Sequence, residues 1–320
     1  MPSIMRTAGL LAGLAAVASA LPAQPKFTPR QEAIYELTKR QTAAEAALGL
    51  QDVDILQFAL TLEWLEGTFY QQGFAKFKDS EFAALGLNTA QLADLKQVGK
   101  TELEHVGLLQ SAIAQAGVKP VQPCEYDFGF TDAKGMVGTA AVLENVGVSA
   151  YLGAAPLLSD PKILSTAGSI LTIEARHQSF IRGAAGVTAI PQALDTPLGP
   201  KAVFSLAAPF IKSCPEGSNL ILTAFPTLKM TSAAPAAGSV LAAGTQVKLE
   251  SEASAAAKFC GFTNANAPGG TAFVEFKDGN CATPSNLAGV TYVTLTSEAP
   301  ATGVLSDAIT LAGPMVLMAS

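Results

Sequence analysis

Apolar residues recur at helical spacing in long stretches before Cys214 and alternate in short stretches after it. The helical spacing predicts long helices over about 46–77, 88–117, 132–158 and 160–186, and a shorter one over 201–212. Asn88 and Asp160 are suitable N-cap residues, and Pro161 suits the first turn of a helix. Pro209 predicts a kink in the shorter helix.

The connections between the four long helices predict how they are arranged. The third and fourth helices meet in a tight turn at 159–161, whereas residues 118–130 form a long connection between the second and the third. A four-helix bundle with one long crossover has the ferritin-like arrangement. We therefore expect a mainly α fold in which this bundle occupies residues 41–215.

After Cys214, short stretches alternate in polarity or carry β-branched residues, with glycine, proline and asparagine between them. The predicted strands lie at 247–249, 272–276, 291–295 and 309–311. We expect a small antiparallel, sandwich-like β domain over residues 216–320. Residues 315–318 predict a last strand, because they are too short to span a membrane.

The N-terminal residues have the pattern of a secretory signal peptide. One early charge, Arg6, precedes an apolar run that ends at the small-x-small motif 18–20. We expect residues 1–20 to be removed, and the dibasic pair Lys39-Arg40 predicts a propeptide over 21–40. The protein is then expected to be secreted, either extracellular or in the cell wall.

An even number of cysteines in a secreted chain indicates disulfides rather than a metal site. Four cysteines allow three pairings. We predict that Cys124 is bonded to Cys214 and Cys260 to Cys281, because this pairing keeps each bridge within one predicted domain. Structural zinc is a poor alternative, because no two cysteines are close in sequence and neither histidine lies near one.

The chain has 20 basic and 26 acidic residues. This acidic excess argues against nucleic acid or an anionic membrane as a partner, and no transmembrane segment is predicted. The predicted β domain suggests a cell-wall or protein partner. Metal ions are further expected partners, because of the glutamate–histidine motifs of the long helices.

Both histidines of the sequence lie three residues after a glutamate, in the motifs Glu102–His105 and Glu174–His177. Residues three apart on a helix share a face, so each pair presents a carboxylate and an imidazole to one point. In the other two long helices, Leu-Glu is followed seven residues later by tyrosine. These pairs are Glu63 with Tyr70 and Glu144 with Tyr151. The order repeats, which indicates a duplicated helical hairpin.

Bringing the two hairpins together gives four carboxylates and two imidazoles, the ligand set of ferritin-like di-metal proteins. The predicted ligands are Glu63, Glu102, His105, Glu144, Glu174 and His177. Oxygen donors with one nitrogen per ion suit two divalent ions, with iron or manganese favoured. Tyr70, Tyr151 and Glu66 are expected beside the ligands, although both tyrosines also suit an ordinary core and Glu66 competes with Glu63. The alternative is a buried polar network without metal, which is costly.

Residues 59–70, ALTLEWLEGTFY, resemble the first helix of secreted fungal ferritin-like proteins of the stress-response and late sexual-development type, and plant desiccation-related proteins are similar. The resemblance covers about 48–214. It implies a ferritin-like fold and metal binding, and it implies no particular reaction.

The leading hypothesis is a secreted di-metal protein that oxidises a substrate, or ferrous ion, with O₂ or peroxide. The catalytic residues are not identified by the sequence. The alternative is a secreted surface or stress scaffold in which the bundle site is not catalytic.

Overall fold

The computed structural model describes residues 51–218, 222–232, 242–285 and 287–318, and of Met318 only the backbone. The predicted signal peptide, the predicted propeptide and the predicted start of the first helix at 46 lie outside these residues.

The helical part contains four long helices and two short ones within the described residues. They are α1 Asp52–Lys76, α2 Asp79–Ala83, α3 Thr89–Gln115, α4 Ala133–Ala154, α5 Pro161–Ala184 and α6 Pro200–Ala207. Three long helices start at capped positions, because the side chains of Asn88, Asp132 and Asp160 each accept a hydrogen bond from a first-turn backbone N–H. Such caps satisfy N–H groups that have no partner inside the helix.

The long helices pack as two hairpins, α1 against α3 and α4 against α5, and residues 116–132 cross between them. Their facing sides form a large apolar core that includes Phe69, Met136 and Ile181, and a second buried apolar cluster includes Leu60 and Ile170. The predicted four-helix bundle with one long crossover is therefore confirmed.

The helix predicted over 201–212 is wrong beyond Ala207. The chain continues as a 3₁₀ turn, Ala208–Phe210, and then as strand β2, Ile211–Ser213, which pairs with β1, Glu125–Tyr126. Pro209 has no N–H to continue the helix. The crossover provides a strand with which these residues pair instead of continuing the helix. Strand β1 adjoins Cys124, and this cysteine is bonded to Cys214 directly after β2.

The C-terminal strands form two antiparallel sheets in the described residues, in the orders β3-β4-β7 and β6-β5-β8-β9. Their bounds are β3 Lys229–Met230, β4 Gln246–Glu250, β5 Phe259–Thr263, β6 Thr271–Glu275, β7 Asn280–Ala282, β8 Val290–Thr296 and β9 Thr310–Met318. Val247 from one sheet and Phe262 from the other share a core, and the Cys260–Cys281 disulfide links β5 to β7. The expected antiparallel β region and both predicted disulfides are confirmed.

Strand β8 is buried on both faces. Successive side chains of a strand point to opposite sides. Val293 and Leu295 accordingly lie in the core of the β region, whereas Val290 and Tyr292 lie in the core of the bundle. One strand thus joins the two cores. No described helix is long and apolar enough to cross a membrane.

Candidate metal centre

All six predicted ligands come together in the middle of the bundle. Each long helix contributes, since Glu63 lies on α1, Glu102 and His105 on α3, Glu144 on α4, and Glu174 with His177 on α5. The four glutamates have 0% exposure, and the two histidines have 8% and 7%. Helical spacing therefore turns one residue, or one Glu-x-x-His pair, of every long helix toward a single point.

The six residues form two overlapping groups of four. Glu63, Glu102, His105 and Glu174 make one group, and Glu102, Glu144, Glu174 and His177 make the other. Within each group, the potential ligand atoms lie within 4.8 Å of one another. Glu102 and Glu174 belong to both groups. The arrangement offers two adjacent positions for cations, with two carboxylates between them.

The Nδ1 atom of each histidine faces the carboxylates. His105 Nδ1 lies 3.2 Å from an oxygen of Glu63 and 3.2 Å from one of Glu102. His177 Nδ1 lies 3.1 Å from an oxygen of Glu144 and 2.8 Å from one of Glu102. Each imidazole therefore contacts the single glutamate of its own hairpin and the shared Glu102, and His105 Nδ1 also lies 3.3 Å from Glu174 Oε1.

Thr101 fixes the other side of one imidazole, because its hydroxyl lies 2.9 Å from Nε2 of His177. Residues that hold the far nitrogen of a histidine orient its ring and select its tautomer. Thr101 was not predicted from the sequence. Thr101 directly precedes Glu102, but its partner His177 lies on another helix, so no local sequence pattern relates the two.

Two tyrosine hydroxyls reach the glutamates across the bundle. The hydroxyl of Tyr70 donates to Glu144, and that of Tyr151 donates to Glu63 Oε1 over 2.5 Å. Each tyrosine thus bonds the glutamate of the opposite hairpin. The seven-residue spacing places tyrosine and glutamate on one helix face, but the antiparallel neighbour determines which carboxylate is in reach.

Glu66 is buried beside the site, although it belongs to neither group of ligand atoms. Burial and the charge of Glu174 raise the pKa of its carboxyl well above the ordinary value. Gly147 makes room there, because a Cβ at this position would lie 2.6 Å from Glu174 Oε2 and 3.2 Å from Glu66 Oε1. This glycine was not predicted from the sequence, since close approach between helices leaves no local pattern.

The electrostatics of the site show an excess of buried negative charge. Burial, reinforced by Glu144, raises the pKa of Glu102 to about 7, and burial with the charge of Glu102 raises that of Glu174 well above its usual range. Burial by itself lowers the pKa of a histidine, but the adjacent carboxylates of Glu102 and Glu144 outweigh it and raise the pKa of His177 to about 10. The pKa of His105 is raised in the same way. Two imidazoles do not balance four carboxylates.

Three carboxylate oxygens of the site have no hydrogen bond among the described residues, namely Glu102 Oε1 and both oxygens of Glu174. Two of the three lie near an imidazole, since Glu102 Oε1 is 2.8 Å from His177 Nδ1 and Glu174 Oε1 is 3.3 Å from His105 Nδ1. Each Nδ1 carries at most one hydrogen and faces several carboxylate oxygens, so it cannot satisfy all of them. Buried oxygens without donors are costly. Their placement on the two glutamates that belong to both groups fits a cation at each of the two positions.

A second polar layer adjoins the ligands and was not foreseen from the sequence. Gln178 Nε2 donates to Asn145 Oδ1 over 2.6 Å, and Asn145 Nδ2 donates to the hydroxyl of Tyr292 over 2.5 Å. Ser149 lies 2.7 Å from the same hydroxyl. Asn145 follows one predicted ligand and Gln178 follows another, so strand β8 reaches the backbone that carries both.

Comparison with known proteins agrees with this architecture. Residues 51–187 match the family model of the ferritin-like domain. The chain is also 27% identical over 182 residues to the protein rds1 of Schizosaccharomyces pombe, which covers 57% of this chain and 44% of that protein. The chain therefore matches less than half of the length of this curated relative. The helical bundle therefore has a ferritin-like fold, and its buried glutamate–histidine cluster is compatible with a metal site.

Proposed function

We propose that this ferritin-like domain holds two iron or manganese ions and that the protein is a secreted oxidase, acting with O₂ or peroxide on a substrate or on ferrous ion. One observation carries the proposal. Two groups of ligand atoms overlap in Glu102 and Glu174, in the middle of four helices. That is the donor set of di-metal carboxylate bundles, with one glutamate on each of two helices and a Glu-x-x-His on each of the others.

The charge of the donor set supports two divalent ions. Four carboxylates neutralise four positive charges, and the three oxygens without hydrogen bonds gain partners when cations are present. Four oxygen-donating residues and two imidazoles suit iron and manganese better than a thiolate-preferring ion.

Each side chain has a separate role in the proposed site. One ion would be held by Glu63 and His105, and the other by Glu144 and His177. Both positions would also be served by Glu102 and Glu174, which belong to both groups. The bound ions would supply redox chemistry with O₂ or peroxide. The tyrosines keep one oxygen each of Glu63 and Glu144 hydrogen-bonded, and this fixes how those carboxylates face the site.

Secretion is part of the same proposal. It is supported by the predicted signal peptide and by the two disulfides, which form and persist in oxidising compartments. A role in stress or development rests on the resemblance to secreted fungal proteins. Recovery from culture medium of a mature chain that begins at Gln41 is the expected result. Retention of the protein inside the cell would contradict secretion.

Metal analysis tests the site. Protein purified from its native host, or reconstituted with Fe²⁺ or Mn²⁺, is expected to contain about two ions per chain, the number such a donor set binds. Glu102→Gln removes a shared ligand and should lower the occupancy of both positions. Glu104→Gln is the matched control, since Glu104 lies in the same motif but is exposed. Absence of metal from the reconstituted wild type, or equal metal in both variants, would overturn the proposal.

The second candidate function is a secreted scaffold whose bundle site is not catalytic. The observation that favours it is the β region, which joins the bundle core through β8 and adds surface that the metal site does not use. Oxygen consumption with Fe²⁺ separates the two functions. A metal-loaded protein that turns over no faster than Glu102→Gln would favour the scaffold.

A further inference from the structure

A cavity of about 150 Å³ lies at the end of the bundle where α1 and α5 begin and α3 and α4 end. Its wall is almost entirely apolar. The lining includes Ile55, Leu62, Leu109, Ala112, Ile163 and Ile170. An apolar cavity of roughly this volume remains dry and accepts a molecule the size of benzene. The bundle therefore offers space for a compact hydrocarbon group.

The inner end of the cavity adjoins the metal centre. Tyr151 lines the cavity and donates its hydroxyl to Glu63, and Leu62 lines it directly before that glutamate. Ile170 lies one helical turn before Glu174. A molecule that filled the cavity would therefore reach Tyr151, whose hydroxyl contacts the predicted metal ligand Glu63.

The outer end carries the one charged residue of the lining, Lys162, at the second position of α5. Twelve residues separate Lys162 from Glu174, which is about 18 Å along a helix. Lys162 is exposed and makes no ion pair with any described residue. The neighbouring Asp52 and Asp160 accept backbone N–H groups of the 159–162 turn instead.

We propose that this cavity binds a medium-chain aliphatic carboxylate, with the carboxylate at Lys162 and the hydrocarbon directed toward Tyr151. The apolar wall accounts for the chain, because burying hydrocarbon there removes it from water. The ammonium of Lys162, which has no ion-pair partner among the described residues, accounts for the anionic head, since it can meet a carboxylate at the rim. Binding of this ligand does not require metal. If the proposed function also holds, the carboxylate is a candidate substrate, because its far end approaches the metal centre.

Calorimetry with the full mature chain tests the proposal, using octanoate and octanol as probes in the presence and in the absence of metal. Both probes are expected to bind, octanoate more tightly. Lys162→Met should weaken the affinity for octanoate by about two- to fivefold, as expected when an exposed ion pair is lost, and should leave the affinity for octanol unchanged. Lys134→Met is the matched control, because Lys134 is also the second residue of a bundle helix and does not line the cavity.

Ala167→Leu adds side-chain volume to the lining, keeps a good helix former and should abolish binding of both probes. Circular dichroism establishes that the variant is folded, and Ala112→Leu provides a second filling variant if it is not. No binding of octanoate to the wild type would overturn the proposal, as would binding that neither filling variant reduces. Equal loss in Lys162→Met and Lys134→Met would refute the assigned carboxylate position. A chain that binds octanoate but no metal would overturn only the proposed function.

Discussion

The hydroxyl of Tyr292, on a C-terminal strand, accepts a hydrogen bond from the side chain of Asn145, inside the helical bundle. Tyr292 has 0% exposure, and Ser149 contacts the same hydroxyl. Asn145 directly follows Glu144 and is bonded to Gln178, which directly follows His177. The β region therefore supports the two helices that present one side of the proposed metal centre.

Removing this hydroxyl is expected to affect stability and metal binding together. Tyr292→Phe leaves the buried Asn145 amide N–H without its acceptor and the Ser149 hydroxyl without its hydrogen-bond partner, which costs about 1–3 kcal/mol of unfolding free energy. We expect a lower denaturant midpoint and weaker metal retention against a chelator. Tyr126→Phe is the control, since its hydroxyl bonds the backbone of Cys124 away from the site. Equal metal retention in the two variants would contradict a supporting role for Tyr292.

The tyrosines that bond Glu63 and Glu144 provide the next prediction. Tyr151→Phe and Tyr70→Phe each remove a donor to one proposed ligand. Loss of such an outer contact typically weakens metal affinity by about 10–100-fold. Competition with a graded series of chelators measures this. Because the contacts are crossed, Tyr151→Phe should weaken the ion beside His105, and Tyr70→Phe the ion beside His177. Unchanged affinity in both variants would show that the hydroxyls serve packing alone.

The helices and the six clustered residues were predictable because the relevant signals are local. Glu102–His105 and Glu174–His177 each lie within one turn, and capping residues such as Asn88 precede the helices directly. The support from Tyr292 was not predictable, since its partner Asn145 is 147 residues away and no spacing relates them. The end of the helix predicted over 201–212 was wrong for a similar reason. Strand pairing with the crossover prevails over helical periodicity at that point.

The contact between Asp52 and the turn before α5 predicts a pH dependence. Desolvation raises the pKa of Asp52, but hydrogen bonds from the backbone of Ser159 and Asp160 and from the Ser159 hydroxyl outweigh it and lower the pKa. A group with a lowered folded pKa stabilises the fold above its unfolded pKa, about 3.9 for aspartate. That stabilisation is lost as the pH falls through the folded value.

The measurement is the difference in unfolding free energy between the wild type and Asp52→Asn, from urea titrations at several pH values. We expect a constant difference above about pH 5 that narrows below about pH 4. Asp94→Asn, at an exposed position of α3, serves as the control for replacing a surface aspartate by asparagine. A difference that grows as the pH falls would have the wrong sign for the proposed contact.

Gly147 provides the sharpest test of the close packing around the carboxylates. A glycine inside a helix costs about 0.5–1 kcal/mol relative to alanine, so replacing it normally stabilises the protein. Gly138 lies in the same helix, and a Cβ there would meet nothing within 4 Å. Gly138→Ala is therefore expected to raise the unfolding free energy by about that amount. Gly147→Ala should do the opposite, because its Cβ would lie 2.6 Å from Glu174 Oε2.

Displacing Glu174, a ligand shared by both proposed ions, should also reduce the metal content of Gly147→Ala at both positions. Thermal unfolding and metal analysis of the two alanine variants, prepared side by side, check both parts of the prediction. The flexible carboxylate can move away, so the loss of metal is the more direct readout of its position. Equal stability and equal metal content in Gly147→Ala and Gly138→Ala would show that the space beside Glu174 does not limit the site.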